Sequence, residues 1–78
     1  MQKWDYLVIR SFGSVVMVVN EQEVGSMSGG QPMGQMLSDF LMERGLEGWE
    51  VVGMAGVREG SEIILKRPIE WDEDEIDL

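Results

Sequence analysis

Pro32-Met33-Gly34-Gln35-Met36-Leu37-Ser38-Asp39-Phe40-Leu41-Met42-Glu43-Arg44-Gly45 is the stretch on which the fold turns. Met33, Met36, Leu37, Phe40 and Leu41 fall at i, i+3, i+4, i+7 and i+8, the apolar stripe of an amphipathic helix. Ser38, Asp39 and Glu43 fall on the other face. Pro32 suits the first helical position, where a missing N–H costs nothing. Arg44 suits the last turn, where a cation meets the negative end of the helix dipole. Gly45 is the expected left-handed cap, with Leu46 folding back on the last turn. Gly34 weakens the first turn by about 1 kcal/mol relative to Ala.

Outward from this helix, both flanks read as pairs of strands. Upstream, Trp4 to Ser11 is rich in aromatic and branched residues, Phe12-Gly13-Ser14 is a turn, and Val15 to Val19 returns antiparallel. Asn20 to Gln22 ends that strand, and Glu23-Val24 extends its pairing. Gly25 to Gln31 reads as a loop from its glycines and serines. Downstream, Glu47-Gly48 is a tight link to a strand over Trp49 to Val57, where Gly53 and Gly56 indicate a bend or bulge. Arg58 to Ser61 is a hairpin turn, Glu62 to Arg67 is the last strand, and Pro68 stops it. The expected fold class is α+β: a small antiparallel four-stranded sheet with one packed helix, in the order β-β-α-β-β. Residues 1–69 form the single domain, and 70–78 an acidic tail, flexible or docked on a partner.

Side chains of a strand alternate between faces. Tyr6 and Val8 oppose Leu7 and Ile9, and Ile64 opposes Ile63 and Leu65. On the second strand Val16 and Val18 oppose Val15, Met17 and Val19. The sheet is therefore apolar on both faces, with one helix to cover it, and an uncovered apolar face is an association site. We expect a homodimer or higher homo-oligomer, with Val16, Val18 and Ile64 as the self-association residues. Trp71, Ile76 and Leu78 folding back over the second face is the alternative.

Composition excludes several functions. The 78 residues include no cysteine and no histidine. That removes disulfides, thiolate chemistry, the commonest general base and the commonest metal ligand. No catalytic residue, metal site or cofactor is expected. Acid pairs such as Glu59 with Glu62, or Glu47 with Glu50, read as solvated carboxylates near turns rather than acid/base partners. Net charge is −9, and six of the fifteen acids lie in residues 70–78. The rest of the chain holds nine acids against six bases, with no basic cluster, so it lacks the footprint of a nucleic-acid-binding surface. Lys66 and Arg67 point to opposite faces of one strand. The N-terminal residues do not read as a signal peptide, and no apolar run spans a bilayer. A cytoplasmic, soluble protein that does not bind membranes is expected.

The segments Lys3-Trp4-Asp5-Tyr6-Leu7-Val8-Ile9-Arg10, Leu46-Glu47-Gly48-Trp49-Glu50-Val51-Val52-Gly53 and Ile64-Leu65-Lys66-Arg67-Pro68 together resemble a small bacterial family, domain of unknown function 4177. Gly45, Glu47, Gly48, Trp49 and Glu50 match its helix-exit motif. Leu46 and the acidic tail depart from its pattern. The resemblance covers residues 3–68. It implies a small antiparallel sheet with one packed helix, and it implies no reaction and no cofactor.

The remaining features have bland and sharp readings. Trp4 and Trp49 read as core anchors rather than ligand platforms. Met33 and Met36 belong to the helix stripe, whereas Met27 and Met42 are candidates for a soft surface. Ser26, Ser28, Gly29 and Gly30, before the helix N-terminus, are the candidate ligand-binding residues of an alternative reading, a binder of an anion or nucleotide. Trp71, Ile76 and Leu78 interrupt the acidic tail, a composition suited to docking on a basic protein partner. The leading functional expectation is a non-enzymatic protein-interaction and oligomerisation module.

Overall fold

The computed structural model describes residues 1–57 and 59–69. Strand β1 (Trp4–Phe12) turns into β2 (Val15–Val19), followed by the two-residue β3 (Gln22–Glu23). A separate small hairpin, β4 (Ser26–Ser28) and β5 (Gln31–Met33), precedes helix α1 (Leu37–Leu46). Strands β6 (Glu50–Val57) and β7 (Gly60–Pro68) complete the chain's regular structure among the described residues. The main sheet is five-stranded and antiparallel, in the order β3-β2-β1-β7-β6. Its axis is the pairing of β1 with β7, unbroken from Trp4 opposite Pro68 to Phe12 opposite Gly60. The two long hairpins are thus zipped together through β1 and β7, the inner strands of the sheet.

The four-stranded β-β-α-β-β arrangement is corrected in two places. Asn20 and Glu21 form a two-residue turn, with φ of 49° and 70°, and return the chain as β3 beside β2. Positive φ at both central residues is the requirement of a hairpin turn whose twist matches the strands. The supposed loop 25–31 is also a hairpin, with Gly29 and Gly30 at φ 58° and 78° as its turn.

The helix is shorter than its apolar stripe. Pro32 lies in β5 opposite Met27 and does not open a helix. Beyond it, the edge of β2 takes the chain: Val16 N–H donates to the Gln35 carbonyl, and Leu37 N–H donates to that of Ser14. Those bonds hold residues 35 and 36 extended, and α1 starts at Leu37 behind Met36, which provides no side-chain cap. Met33 and Met36 are consequently exposed. Leu37 and Leu41 pack against the core and Phe40 lies within it.

The helix also ends later than Gly45. Trp49 N–H donates to the Arg44 carbonyl and Gly48 N–H to that of Gly45, with Gly48 at φ 93°. This 6→1 and 5→2 pair of bonds is a Schellman cap, so Gly48 is its left-handed residue. Leu46 points outward at 91% exposure and does not fold back.

The core consists of Ile9, Val16, Phe40, Trp49, Ile63 and Leu65, on the helix side of the sheet. Leu7, Ile9 and Ser11 of β1 face Leu65, Ile63 and Ser61 of β7 across this side. Ser11 is buried there, and its hydroxyl accepts the Ser61 N–H at 3.1 Å. Two β-bulges shape the sheet. One leaves Val52 unpaired in β6, next to Gly53. The other leaves Met17 unpaired in β2, so that Val16 opposes Ser11 while Val18 opposes Arg10. One extra residue flips the alternation that follows it. Val16 therefore belongs to the core, on the opposite side from Val18.

Candidate association surface

The even-numbered residues of β1 define the side of the sheet that α1 does not touch. Trp4, Tyr6, Val8 and Arg10 point outward there, opposite Pro68, Lys66, Ile64 and Glu62 of β7. Val18 of β2 continues the surface beside Arg10, and Gly53 and Ala55 of β6 continue it beside Ile64 and Glu62. Trp4 is 38% exposed, Tyr6 52% and Val8 40%, whereas Val18 and Ile64 are half-buried by their neighbours in the sheet. Five apolar side chains, Trp4, Tyr6, Val8, Val18 and Ile64, thus form a contiguous patch on the middle strands of the sheet. Such a patch leaves water only when a further surface packs on it.

Both ends of this face carry charge, and Glu50 of β6 stands opposite Lys66. At one end the Lys66 ammonium sits 3.9 Å from the centre of the Trp4 ring. It makes no ion pair among the described residues. The other end is acidic. A groove of about 680 Å³ is floored by Val8 and Val18 and rimmed by Glu21, Glu23 and Glu62, with Arg10 and Asn20. Arg10 binds Glu62 at 3.0 Å, leaving the groove with more carboxylates than cations. Asn20 holds its wall: its Oδ1 accepts the Val8 N–H at 2.8 Å.

Of the residues expected to mediate association, Val18 and Ile64 lie on this face, and Val16, 1% exposed, lies on the other. Trp4, expected in the core, stands on the bare face, whereas Trp49 is in the core. Nothing in the composition distinguishes the two tryptophans. The alternation of β1 puts Trp4 on the side of Tyr6 and Val8, opposite Ile9. Lys66 and Arg67 do part to opposite faces. The Arg67 guanidinium stacks 4.4 Å from the Trp49 ring and donates to the Glu47 carbonyl. Glu47 and Glu62 are engaged by Arg44 and Arg10 respectively.

The residues of the ligand-binding alternative are all exposed, and Ser26 and Ser28 are paired within the β4–β5 hairpin. The strand β5 and the bridge at Met36 separate them from the start of α1, whose first N–H is bonded to Ser14. The loop and the helix N-terminus do not form one cradle. Trp71, Ile76 and Leu78 lie outside the described residues. No helix among the described residues is long and apolar enough to cross a membrane. Comparison with family models, curated proteins and solved structures finds no match. The resemblance to domain of unknown function 4177 therefore rests on its three sequence motifs alone.

Proposed function

We propose that this protein is a non-enzymatic association module that works by burying the bare face of its sheet against another copy of itself. The observation that carries this reading is the row Trp4, Tyr6, Val8, Val18 and Ile64, displayed on the side opposite the helix. A chain without histidine or cysteine has few means of nucleophilic or general-base chemistry, which favours binding over catalysis. The acidic tail adds a second means of contact, with a basic protein, and cytoplasmic residence suits both.

Equilibrium sedimentation over a concentration series tests the reading. The chain should be dimeric or larger at micromolar concentration, and Val18→Arg and Ile64→Arg should each shift it to monomer while remaining folded. A monomer persisting to high micromolar concentration would show that the face has no partner of its own kind. Val16→Arg is not a test of the interface, because it places a charge in the core and should unfold the chain.

A further inference from the structure

Strand β6 is the long edge of the sheet, and part of its backbone has no neighbour. β7 bonds β1 through its odd-numbered residues: Gly13 N–H donates to the Glu59 carbonyl and Ile69 N–H to that of Lys3, both in the register of the β1–β7 pairing. Residues of an antiparallel strand point their N–H and C=O alternately to one neighbour and the other. Gly60, Glu62 and Ile64 therefore face β6, and their partners Val57, Ala55 and Gly53 face back. Met54 and Gly56 turn their N–H and C=O the other way, where no strand lies among the described residues. Edge strands are usually blunted by lysine, proline or a bulge. Residues 50–57 hold no lysine, no proline and a single charge, Glu50. The bulge at Val52 is the one such device present, and it leaves 53–57 regular.

We propose that this edge pairs with the same edge of a second copy, antiparallel, about a two-fold axis through Ala55. Open groups must meet open groups, which restricts the symmetric registers. Met54 opposite Met54 sets Gly56 against the bulge at Val52, where regular pairing is lost. Gly56 opposite Gly56 runs the pairing past Val57 into the turn and sets Gly53 against Glu59, at φ 62°. Met54 opposite Gly56 matches every open group of the regular stretch. Side-chain size agrees with this register. Met54, opposite Ile63, stands on the helix side at 65% exposure, and so does Gly56, where an added Cβ would meet nothing within 4 Å. The Met54 side chain of each copy lies over the glycine of the other, and Ala55 meets its own small counterpart on the bare side. This contact is separate from the bare face. Its axis stands normal to the sheet, so it joins two five-stranded sheets into one with both bare faces on the same side. It buries few side chains and therefore forms at higher concentration than a face contact.

Amide exchange tests it in the Val18→Arg chain, whose face contact is removed. The Met54 and Gly56 amides should exchange freely at low micromolar concentration. They should slow by about tenfold or more at submillimolar concentration, where sedimentation should show a dimer. Met54→Pro deletes an outward N–H and no bond to β7, a place where an edge strand tolerates proline. It should keep the circular dichroism of its parent and stay monomeric throughout. Should it not fold, Ala55 gives the same information. Ala55→Lys and Ala55→Glu each set like charges against each other on the axis and should be monomeric alone, whereas their equimolar mixture should pair. Amides that stay fast at every concentration overturn the proposal. Amides that are slow at every concentration overturn it too, because the edge is then covered within one chain. A folded Met54→Pro that still dimerises, or a mixture no tighter than its components, overturns the pairing through Ala55. A bare face that proves inert leaves these outcomes unchanged, since the two amides report on the edge alone.

Discussion

Glu21 is, with Glu59, one of two glutamates at a positive φ among the described residues. The Glu21 φ of 70° is one that L side chains adopt at a cost of roughly 1–2 kcal/mol, and its side chain makes no hydrogen bond among the described residues in return. Asn20, its neighbour in the turn at φ 49°, is better suited: asparagine tolerates this region, and its Oδ1 accepts the Val8 N–H. The two positions should respond oppositely to substitution. Glu21→Gly should stabilise the fold by about 0.5–1 kcal/mol, the relief of strain less the entropy of a glycine. In a domain of this size that raises the melting temperature by about 2–8 °C. Asn20→Ala should destabilise it by about 1–2 kcal/mol, losing both the bond and the tolerance. Thermal melts at low protein concentration, below any association, measure both. A Glu21→Gly variant with an unchanged or lower midpoint would mean that the turn is not strained.

At the scale of elements, the exit of α1 decides how the helix is joined to the sheet. A helix ending in Arg-Gly-Leu-Glu-Gly-Trp offers two glycines for the cap. Gly45 is the last turn's first glycine and follows a cation, which is why it reads as the cap in sequence. The bonds from Gly48 and Trp49 back to Gly45 and Arg44 make Gly48 the left-handed residue instead and Gly45 an ordinary helical one. The delay brings Trp49 into the core beneath Arg67. Gly45→Ala should therefore stabilise by about 0.5–1 kcal/mol, since a methyl there meets open space and alanine favours the helix. Gly48→Ala should destabilise by about 1–2 kcal/mol. Urea midpoints of the two variants moving in opposite directions support this cap, and the reverse pattern would restore Gly45 to the role.

For the whole molecule, the two sides of the sheet should separate stability from association. Phe40 is the one buried residue of α1, and Phe40→Ala should cost about 3–4 kcal/mol in unfolding free energy. Ile64→Arg, on the bare side, should alter mass far more than melting of the isolated chain. The last described bond of the sheet runs from the Ile69 N–H to the Lys3 carbonyl. Deleting residues 70–78 should accordingly leave the unfolding midpoint within about 0.5 kcal/mol of the full chain. It should also weaken any complex with a basic protein, which added salt weakens too. A truncated chain that fails to fold would make the tail part of the core. A complex unaffected by truncation and by salt would make it a solubilising appendage.

What the sequence by itself determined was the local alternation: two long hairpins around one helix, Ile9, Ile63 and Leu65 on one side, Tyr6, Val8 and Ile64 on the other, and Leu37, Phe40 and Leu41 on the helix's packed face. These follow from the period of strands and helices, which neighbouring residues alone enforce. The tertiary structure decided the rest. The zipper of β1 to β7 joins residues some fifty or more positions apart, and no local pattern encodes that partner choice. Met33 and Met36 obey a helical period yet are extended, because β5 pairs with β4 and the free edge of β2 claims Gln35 and Met36. Val16 obeys the alternation of β2 and still changes side, because one unpaired residue at Met17 shifts the register against β1. Trp4 is left outside, since the core lies on the helix side and strand parity puts Trp4 on the other. At Met33, Met36 and Val16 backbone pairing overrode a side-chain preference, because every N–H and C=O withdrawn from water must find a partner.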